Sequence, residues 1–419
     1  MVTFAKPKAT IKFTTLRTEN PKLSKETLVI PYGFPSDSLG TTFGIGGMTK
    51  GYGQDQLLTG GTVFYSGDEA AGIILGLWDF KLPSTERLFF SAVGSIGDYP
   101  RLRAYAEHPS GIEGVRAGSN DSDKDDYIED QGTDNWWEMK LEYVLPIGSM
   151  KNSGMATYKL DGGLLTNGAS GSESWNPLES GATVLVLRQS NRYQKYETEK
   201  GNVSGTIHPL EFGILYNNTD FQSNPSTGSS QYFSLTHDFA WLESEQTWTF
   251  LEFEASKYFS LGSGMFAKQR VVALNFWTGD ALSWESETGE DGLEAISHKP
   301  PFLEGARLGG FYRMRAYPNN RFNDRSVIYS TAEYRHTLEW NPIGEVSWLR
   351  WLKMDWMQLV GFVEGGRVAG EYDVSELFSD WKYDAGIGFR TMLAGGVVRF
   401  DIAFSEESSA AVVMFGHPF

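Results

Sequence analysis

The 419-residue chain contains no cysteine, which excludes disulfide bridges, thiolate nucleophiles and cysteine-based metal sites. Long hydrophobic runs are also missing, since stretches such as ATVLVL from Ala182 fall far short of the roughly 18 apolar residues of a membrane-spanning helix. Positive charge is scarce, and the formal net charge of −17 argues against a nucleic-acid partner, because phosphate binding needs a basic stripe. The first residues, MVTFAKPKATIKF, lack the apolar region of a secretory signal.

Catalytic signatures are absent as well. The HExxH, GxSxG and GxxxxGK motifs do not occur. The segment SLTHDF could supply a base through His237, but no paired nucleophile accompanies it. Six histidines are scattered without metal-ligand spacing: His108, His208, His237, His298, His336 and His417. We therefore expect no enzyme, no cofactor and no metal.

The chain instead repeats segments of alternating apolar and polar residues, separated by clusters of Gly, Ser, Asn and Asp. In GVVRFDIAFS from Gly396, a strand of period two puts Phe400 and Phe404 on one face and Arg399 and Asp401 on the other. In a soluble sandwich the aromatic face would form the core. In a membrane barrel it would meet lipid, and the charges would line a wet lumen. The local pattern leaves both alternatives open.

Three wider features favour the barrel. Trp and Tyr concentrate near segment ends, as in NWWEMKLEY, WLRWLKMDW and SDWKY, where an interfacial aromatic girdle would place them. Some connections are very short, whereas others are long, polar and acidic. The last segment, AAVVMFGHPF, places Val413, Phe415 and Phe419 on one face, although a soluble chain end is usually frayed and polar.

The sequence therefore predicts an all-β fold, a transmembrane antiparallel β-barrel of about sixteen strands that fills residues 40–419. Residues 1–39 are expected to be a short N-terminal segment without a periplasmic domain, because segments below about 40 residues rarely fold alone. The predicted strands lie near residues 40–50, 56–67, 69–81, 86–105, 135–147, 155–164, 182–196, 204–217, 230–242, 246–259, 268–278, 327–338, 354–366, 381–392, 396–405 and 410–419.

Several segments resemble a known family when they are taken in order. LGGFYRMRAYPNNRFNDRSVIYSTAEYR from Leu308, then GFVEGGRV, DAGIGFR, VVRFDIAF and a final Phe are similar to the C-terminal half of the bacterial surface antigen family. That superfamily includes the BamA and TamA assembly factors of the outer membrane. PYGFPSDSLGTTFGIGG and NNTDFQSNPSTGS look like its first strand and one of its periplasmic turns. The resemblance covers nearly all of residues 30–419 and implies a bacterial outer-membrane location.

The family's long loop folds back into the lumen and carries an Arg-Gly-aromatic tip held by acidic residues. The resemblance implies such a loop between about Gly279 and Ser326, with Arg315 and Tyr317 at its tip and Glu333 and Glu364 as the acidic partners. Alternation independently puts both glutamates on the lumen face of their strands. Ala316 replaces the usual Gly, which would strain the tip if that position needs a positive φ. The alternative is that Arg315 is a solvated loop residue.

A seam is expected where the first and last strands meet. The first predicted strand contains four glycines, which weaken a strand and mark bends. It would close the barrel against the terminal strand and leave edges that could template another strand. The alternative is that the glycines only provide curvature. The predicted seam residues are Gly40, Gly44, Gly46, Gly47, Val413, Phe415 and Phe419.

The acidic stretch DSDKDDYIED from Asp121 resembles a calcium loop, but Asp126 stands where such loops need Gly and Gly132 where they need Glu. A solvated connection is favoured, and strand parity counted from the last strand puts it on the periplasmic side. The family resemblance implies a part in inserting or translocating protein or lipid at the outer membrane. Expected partners are outer-membrane lipid, lipopolysaccharide and an unfolded protein or lipid client, with the chain as a monomer. A passive structural barrel or narrow pore and, less favoured, an outer-membrane hydrolase are the alternatives.

Overall fold

The computed structural model describes residues 9–18, 20–23, 25–36, 40–66, 70–106, 115–168, 174–198, 201–288, 294–301, 304–343 and 346–419. Nearly all its regular elements are strands: β1 Phe13–Arg17, β2 Asn20–Leu23, β3 Glu26–Ser36, β4 Gly40–Lys50, β5 Leu58–Ser66, β6 Ala71–Lys81, β7 Leu88–Ala104, β8 Ile128–Val144, β9 Ala156–Asp161, β10 Leu164–Leu165, β11 Ala182–Thr198, β12 Gly201–Ile207, β13 Leu210–Asn217, β14 Gly228–Phe239, β15 Thr247–Gly264, β16 Ala267–Ala281, β17 Glu285–Thr288, β18 Glu294–Ser297, β19 Ala306–Leu308, β20 Phe322–Asp324, β21 Ser326–Leu338, β22 Met354–Ala369, β23 Lys382–Leu393, β24 Gly396–Ser405 and β25 Ser409–Phe415. Helical turns occur at Gly148–Met150, Ser347–Leu352 and Val374–Leu377. Within these residues, no helix has the length and apolar character needed to cross a membrane.

The large sheet closes into an antiparallel barrel. Its strand order is β3 to β8, β11 to β16 and β21 to β25, with β25 returning to β3. The segments β12 and β13 both pair with β11 and form one strand interrupted at His208 and Pro209. Counted this way, the described residues contribute sixteen barrel strands, so the predicted fold class is confirmed.

Two strand assignments differ from the prediction and cancel in the count. The barrel begins at β3 rather than at Gly40, because β3 pairs with β4 along its whole length. Its two prolines made this segment a poor strand candidate, since proline has no N–H to donate to a ladder. Conversely, the predicted strand near residues 155–164 is β9, which lies outside the barrel ladder. The predicted division at residue 40 is therefore wrong.

Alternation sets the two faces of the wall. On β23 and β24, Tyr383 and Phe404 are more than half exposed on the outer face. Arg390 and Arg399 on the same strands are fully buried on the inner face. The sequence predicted this division, and it places apolar side chains toward lipid and ionised side chains in the lumen.

We call the end of the barrel at which β3 begins and β25 stops the terminus end, and the opposite end the loop end. A four-stranded sheet of order β10-β9-β1-β2 lies at the terminus end, and we call it the floor sheet. Tyr158 and Leu160 of this sheet, together with Ile11 just ahead of β1, pack in one buried cluster with wall residues that include Phe89 on β7 and Trp356 on β22. The floor sheet therefore fills the lumen at this end with apolar side chains.

At the loop end, the long connection between β16 and β21 enters the lumen. It contains the paired strands β17 with β18 and β19 with β20. The acidic connection between β7 and β8 packs against it, since Arg116 contacts Asp324 at 2.9 Å and Asn323 N donates to Gly118 O at 2.7 Å. Asp121 therefore lies at the opposite end of the barrel from the one that the sequence predicted, because counting β9 as a barrel strand inverted the parity.

Candidate functional site

The tip of the long loop, residues 309–321, is a compact turn inside the barrel. Gly310 N donates to Tyr317 O at 3.1 Å and Asn320 N donates to Gly309 O at 3.3 Å, which folds the tip back on itself. Gly309 has a φ of +104°, and a Cβ there would lie 2.2 Å from Pro318 O. Only glycine fits this closure.

Arg315 projects from the tip into a ring of carboxylates. Its guanidinium lies 3.1 Å from Glu364 Oε1, 3.2 Å from Glu333 Oε1 and 2.6 Å from Asp401 Oδ2. The Arg315 backbone N also donates to Glu364 Oε2 at 2.7 Å. The guanidinium carbon stacks 3.5 Å from the centre of the Phe362 ring. The structure thus brings together Arg315, Glu333 and Glu364, with all three side chains buried.

Further arginines surround the same acids. Arg390 Nη2 lies 2.6 Å from Glu333 Oε1, and Arg335 Nη2 lies 2.9 Å from Glu333 Oε2. Arg399 Nη1 lies 2.5 Å from Asp401 Oδ2 and its Nη2 donates to Phe311 O on the loop tip. The alternating charges link the tip to four consecutive strands, β21 to β24. We call these charged side chains the lumen lattice: Arg315, Glu333, Arg335, Glu364, Arg390, Arg399 and Asp401.

The Ala316 substitution carries no strain here. Ala316 has no positive φ, and the non-glycine positions with a positive φ in the tip are Met314, at 56°, and Asn320, at 54°. Ala316 N donates to Asp384 Oδ2 at 2.9 Å, and its side chain is buried. Tyr317 is also buried, and its hydroxyl donates to Tyr383 O at 3.1 Å. The tip is therefore fixed to β23 by its backbone and by Tyr317.

Arg321 closes the site toward the loop end. Its guanidinium is buried and makes a bidentate contact with Glu407 at 2.8 and 3.0 Å. It also donates to Ser122 Oγ at 2.8 Å and Ser122 O at 2.6 Å. Two loops, residues 115–127 and 406–408, are thereby attached to the long loop. The acidic connection is thus a packed part of this end as well as a charged surface.

A second buried ion cluster lies at the terminus end. Lys12 Nζ is 2.8 Å from Asp79 Oδ1 on β6 and 2.6 Å from Glu142 Oε2 on β8. Thr10 N donates to Glu142 Oε1 at 3.1 Å. Burial acts to lower the pKa of Lys12, but the charges of Asp79 and Glu142 act the other way, and the pKa lies above its ordinary value. Lys12 is therefore a cation throughout the neutral range.

The predicted seam residues do not come together. β3 lies between β25 and β4, so the strand that contains Gly40, Gly44, Gly46 and Gly47 does not adjoin the last strand. Val413 and Phe415 do lie on β25, next to β3. The seam is therefore formed by β3 and β25.

Phe419 lies in the lumen instead of on the outer face. The strand ends at Phe415, and Gly416 turns the chain with a φ of 81°. Phe419 then stacks on Tyr258 at 6.3 Å, with the Arg335 guanidinium 5.3 Å from its ring. His417 Nδ1 lies 2.7 Å from Arg390 Nη1, so the lumen lattice also contacts the segment that follows β25.

Sequence reasoning missed several members of both ion clusters. One feature of the sequence pointed to Asp401, Arg390 and Arg399. They alternate with aromatic residues along their strands, so they are expected to face the lumen while the aromatic residues face outward. Parity does not give the register between strands, so it could not assign these side chains to Arg315. Lys12 and Glu142 are separated by 130 positions, and nothing in either segment indicates the contact.

The lumen lattice consists of ion pairs and offers no metal site among the described residues. No group of three or more His, Cys, Asp or Glu side chains suits a metal ion in the described part of the chain. The buried acids instead pair with arginines, the fork geometry that favours bidentate ion pairs. What the arrangement can do is hold the loop tip, the wall strands β21 to β24 and the segment after β25 in one electrostatic unit.

A closed barrel with lipid-facing aromatics and an ion-paired loop in its lumen defines a β-barrel protein of the bacterial outer membrane. The family model described as "Omp85 superfamily domain" matches residues 182–411. That match spans more than half of the chain, and the protein belongs to the Omp85 superfamily.

Three solved structures match this chain at low identity, and the two CdiB structures among them share its fold. CdiB from Escherichia coli matches with a TM-score of 0.55 and 11% identity over 93% of this chain and 61% of that chain. CdiB from Acinetobacter baumannii matches with a TM-score of 0.50 and 10% identity over 94% of this chain and 60% of that one. BamA from Haemophilus ducreyi lacking POTRA domains 1–3 matches with a TM-score of 0.46 and 13% identity, over 94% of this chain and 70% of that one. The chain thus spans about three fifths of each CdiB chain, and a comparison with curated proteins gives no match.

Proposed function

We propose that the protein assists the insertion or translocation of a polypeptide or lipid client at the outer membrane, through movements of its loop and seam instead of a catalytic centre. Superfamily membership supports this class of function. The observation that carries the proposal is the lumen lattice, which joins the loop tip to β21 through β24 and, through Arg390, reaches His417 after β25. A client at the seam and a loop in the lumen would therefore act on the same set of ion pairs.

The filled lumen opposes the alternative of a passive pore. Apolar residues pack across the terminus end, and the loop tip occupies the middle of the barrel. A client would therefore pass along the wall or the seam instead of through a standing channel. With the usual arrangement of outer-membrane barrels, the terminus end would face the periplasm, where clients arrive.

The test is assisted insertion into lipid vesicles. Vesicles containing the purified protein receive a urea-unfolded outer-membrane barrel, and protease-protected, folded client is measured over time. We expect faster folding than in vesicles without protein or vesicles containing an unrelated outer-membrane barrel. Equal rates in all three preparations would contradict the proposal for polypeptide clients. The corresponding lipid assay, transfer of labelled lipopolysaccharide between vesicles, tests the remaining client class.

A further inference from the structure

The floor sheet contains an unusual pairing. Strand β1 lies parallel to β9, with Phe13 opposite Ala156 and Arg17 opposite Leu160. Parallel neighbours are normally joined by a compact crossover connection, but here the six barrel strands β3 to β8 separate β1 from β9. β1 has therefore been added to the edge of a hairpin formed elsewhere in the chain, as an extended peptide adds to an exposed sheet edge.

The backbone of residues 10–18 is held along its length. Ala156 N donates to Lys12 O at 2.8 Å, and Thr18 N donates to Leu160 O at 2.9 Å. Ahead of the strand, Ile11 N donates to Gln222 Oε1 at 2.5 Å. Such main-chain bonds favour an extended segment of any sequence.

The side chains add selectivity. Ile11 is 1% exposed in the apolar cluster of the floor, and the Phe13 ring meets Tyr158 edge-on at 5.2 Å. Between them, the Lys12 ammonium enters the pocket formed by Asp79 and Glu142. Residues 11–13 thus read as apolar, lysine, aromatic, and each of the three has its own complementary surface.

We propose that the β9 edge, together with Asp79, Glu142 and Gln222, is a docking site for an extended polypeptide segment that carries a lysine between two apolar residues. Residues 9–17 occupy this site in cis. The buried carboxylate pair gives the site its preference for a cation, because a neutral side chain would remove the ammonium that contacts both acids at 2.8 and 2.6 Å. Lys140 Nζ also contacts Glu142, but at the longer distance of 3.6 Å.

The site lies at the end of the barrel that would receive clients. A client segment of the same pattern would compete with residues 9–17 and release them from β9 and from the acids on the wall. This last step rests on the function proposed above, whereas the docking site itself does not.

Peptide exchange tests the site directly. A protease recognition sequence replaces Glu19, and the folded, detergent-solubilised protein is cut so that the preceding segment stays bound only by non-covalent contacts. A fluorescent peptide with the sequence of residues 5–18 is then added, and its uptake is followed by anisotropy. We expect saturable uptake accompanied by release of the resident fragment, with a Lys12→Met peptide binding at least about tenfold more weakly.

Matched variants of the barrel identify the pocket. Glu142→Gln should weaken uptake of the wild-type peptide, whereas Glu138→Gln should not, because Glu138 contacts Arg188 on the neighbouring strand. No uptake by the cut protein, or equal uptake of the wild-type and Lys12→Met peptides, would overturn the docking site. Because the peptide variant leaves the barrel unchanged, misfolding of the barrel cannot explain equal uptake of the two peptides.

The same peptide separates this inference from the proposed function. If excess peptide slows assisted client insertion in vesicles, the docking site is a client site. If peptide exchange is normal and insertion is unaffected by peptide, the competition step is wrong and the docking site remains. If exchange is normal and the protein inserts no client, the proposed function fails for polypeptides and the docking site again remains.

Discussion

Arg315 has three carboxylate partners on three different strands, Glu333 on β21, Glu364 on β22 and Asp401 on β24. A charge swap within one pair therefore cannot restore the contacts, since a glutamate at position 315 would still face two acids. Arg390 and Arg399 would still contact Glu333 and Asp401 after removal of the cation, but the buried Glu364 would lose its guanidinium, which is costly because the carboxylate is shielded from water.

Arg315→Met should lower the free energy of unfolding by about 3–5 kcal/mol, the range for breaking a buried ion pair. The measurement is the urea midpoint of the barrel in detergent, followed by tryptophan fluorescence. Arg313→Met is the matched control, because Arg313 lies on the same tip and pairs with Glu254 at 3.0 Å with both side chains partly exposed. That control should cost about 1 kcal/mol or less. Similar costs for the two variants would show that the lumen lattice is solvated.

Ala316 permits a second test at this scale. Because Ala316 has no positive φ, restoring the family's glycine should destabilise the protein by about 0.4–1 kcal/mol through the greater freedom of the unfolded chain. The urea midpoint of Ala316→Gly against the parent protein measures this effect. A stabilised variant would mean that the tip is strained at this position.

The sequence predicted some members of the lumen lattice and missed others. Inward parity and the family resemblance together selected Arg315, Glu333 and Glu364, and the structure places all three in contact. They could not select Asp401 or Asp384, because a contact across neighbouring strands depends on register, and register is set by turns and bulges along the whole wall.

At the scale of elements, β3 and β9 exchanged roles relative to the prediction. β9 alternates buried and exposed residues as a barrel strand does, but it lies in the floor sheet and its buried face packs against wall residues such as Phe89 and Trp356. β3 contains Pro31 and Pro35, and the proline rule demotes such a segment to an edge or a loop. The rule describes its position well, since β3 is the first strand of the barrel and lies at the seam. Sequence alone gave the two segments similar patterns and could not show which one joins the wall.

Engineered disulfides test the order of strands at the seam. Because the chain has no native cysteine, the introduced pair can form no other disulfide within the chain. Gly44→Cys with Val413→Cys should not form a disulfide, because β3 separates the two strands. Strands two places apart are about 9–10 Å apart, beyond the about 4.4–6.8 Å between Cα atoms that a disulfide spans. Phe400→Cys with Val413→Cys should bridge readily, because these residues are direct partners.

Non-reducing electrophoresis after mild oxidation measures disulfide formation in both double-cysteine variants. A bridge between positions 44 and 413 would show that β3 leaves the seam in solution. Failure of the positive control would instead place the register of β24 and β25 in error.

At the scale of the whole molecule, two separate obstructions lie in series along the lumen. The floor sheet packs against the wall at the terminus end, and the loop tip is ion-paired nearer the loop end. Resistances in series add, so when one obstruction is removed the other still limits the current. The fold therefore predicts a barrier that tolerates movement of either part alone.

Planar-bilayer recordings check this property. The wild-type protein should show low conductance, and so should a variant in which a short glycine linker replaces residues 311–318. Cutting and removing the segment before residue 19 should also leave conductance low. Only the combination should give a large, steady pore, and a large pore from the wild-type protein or either single change would contradict the series arrangement.

The two prolines of β3 have one more effect. Residues 31 and 35 are four apart, so their missing amide protons belong to the same edge of the strand and fall on a single neighbour. The ladder between β3 and that neighbour therefore lacks two backbone hydrogen bonds, which residues with an N–H at positions 31 and 35 would donate. In deuterated solvent, amides of β3 and its neighbours should therefore exchange before those of β23 and β24. The same weakness makes this side of the barrel the first at which strands separate as the protein is warmed.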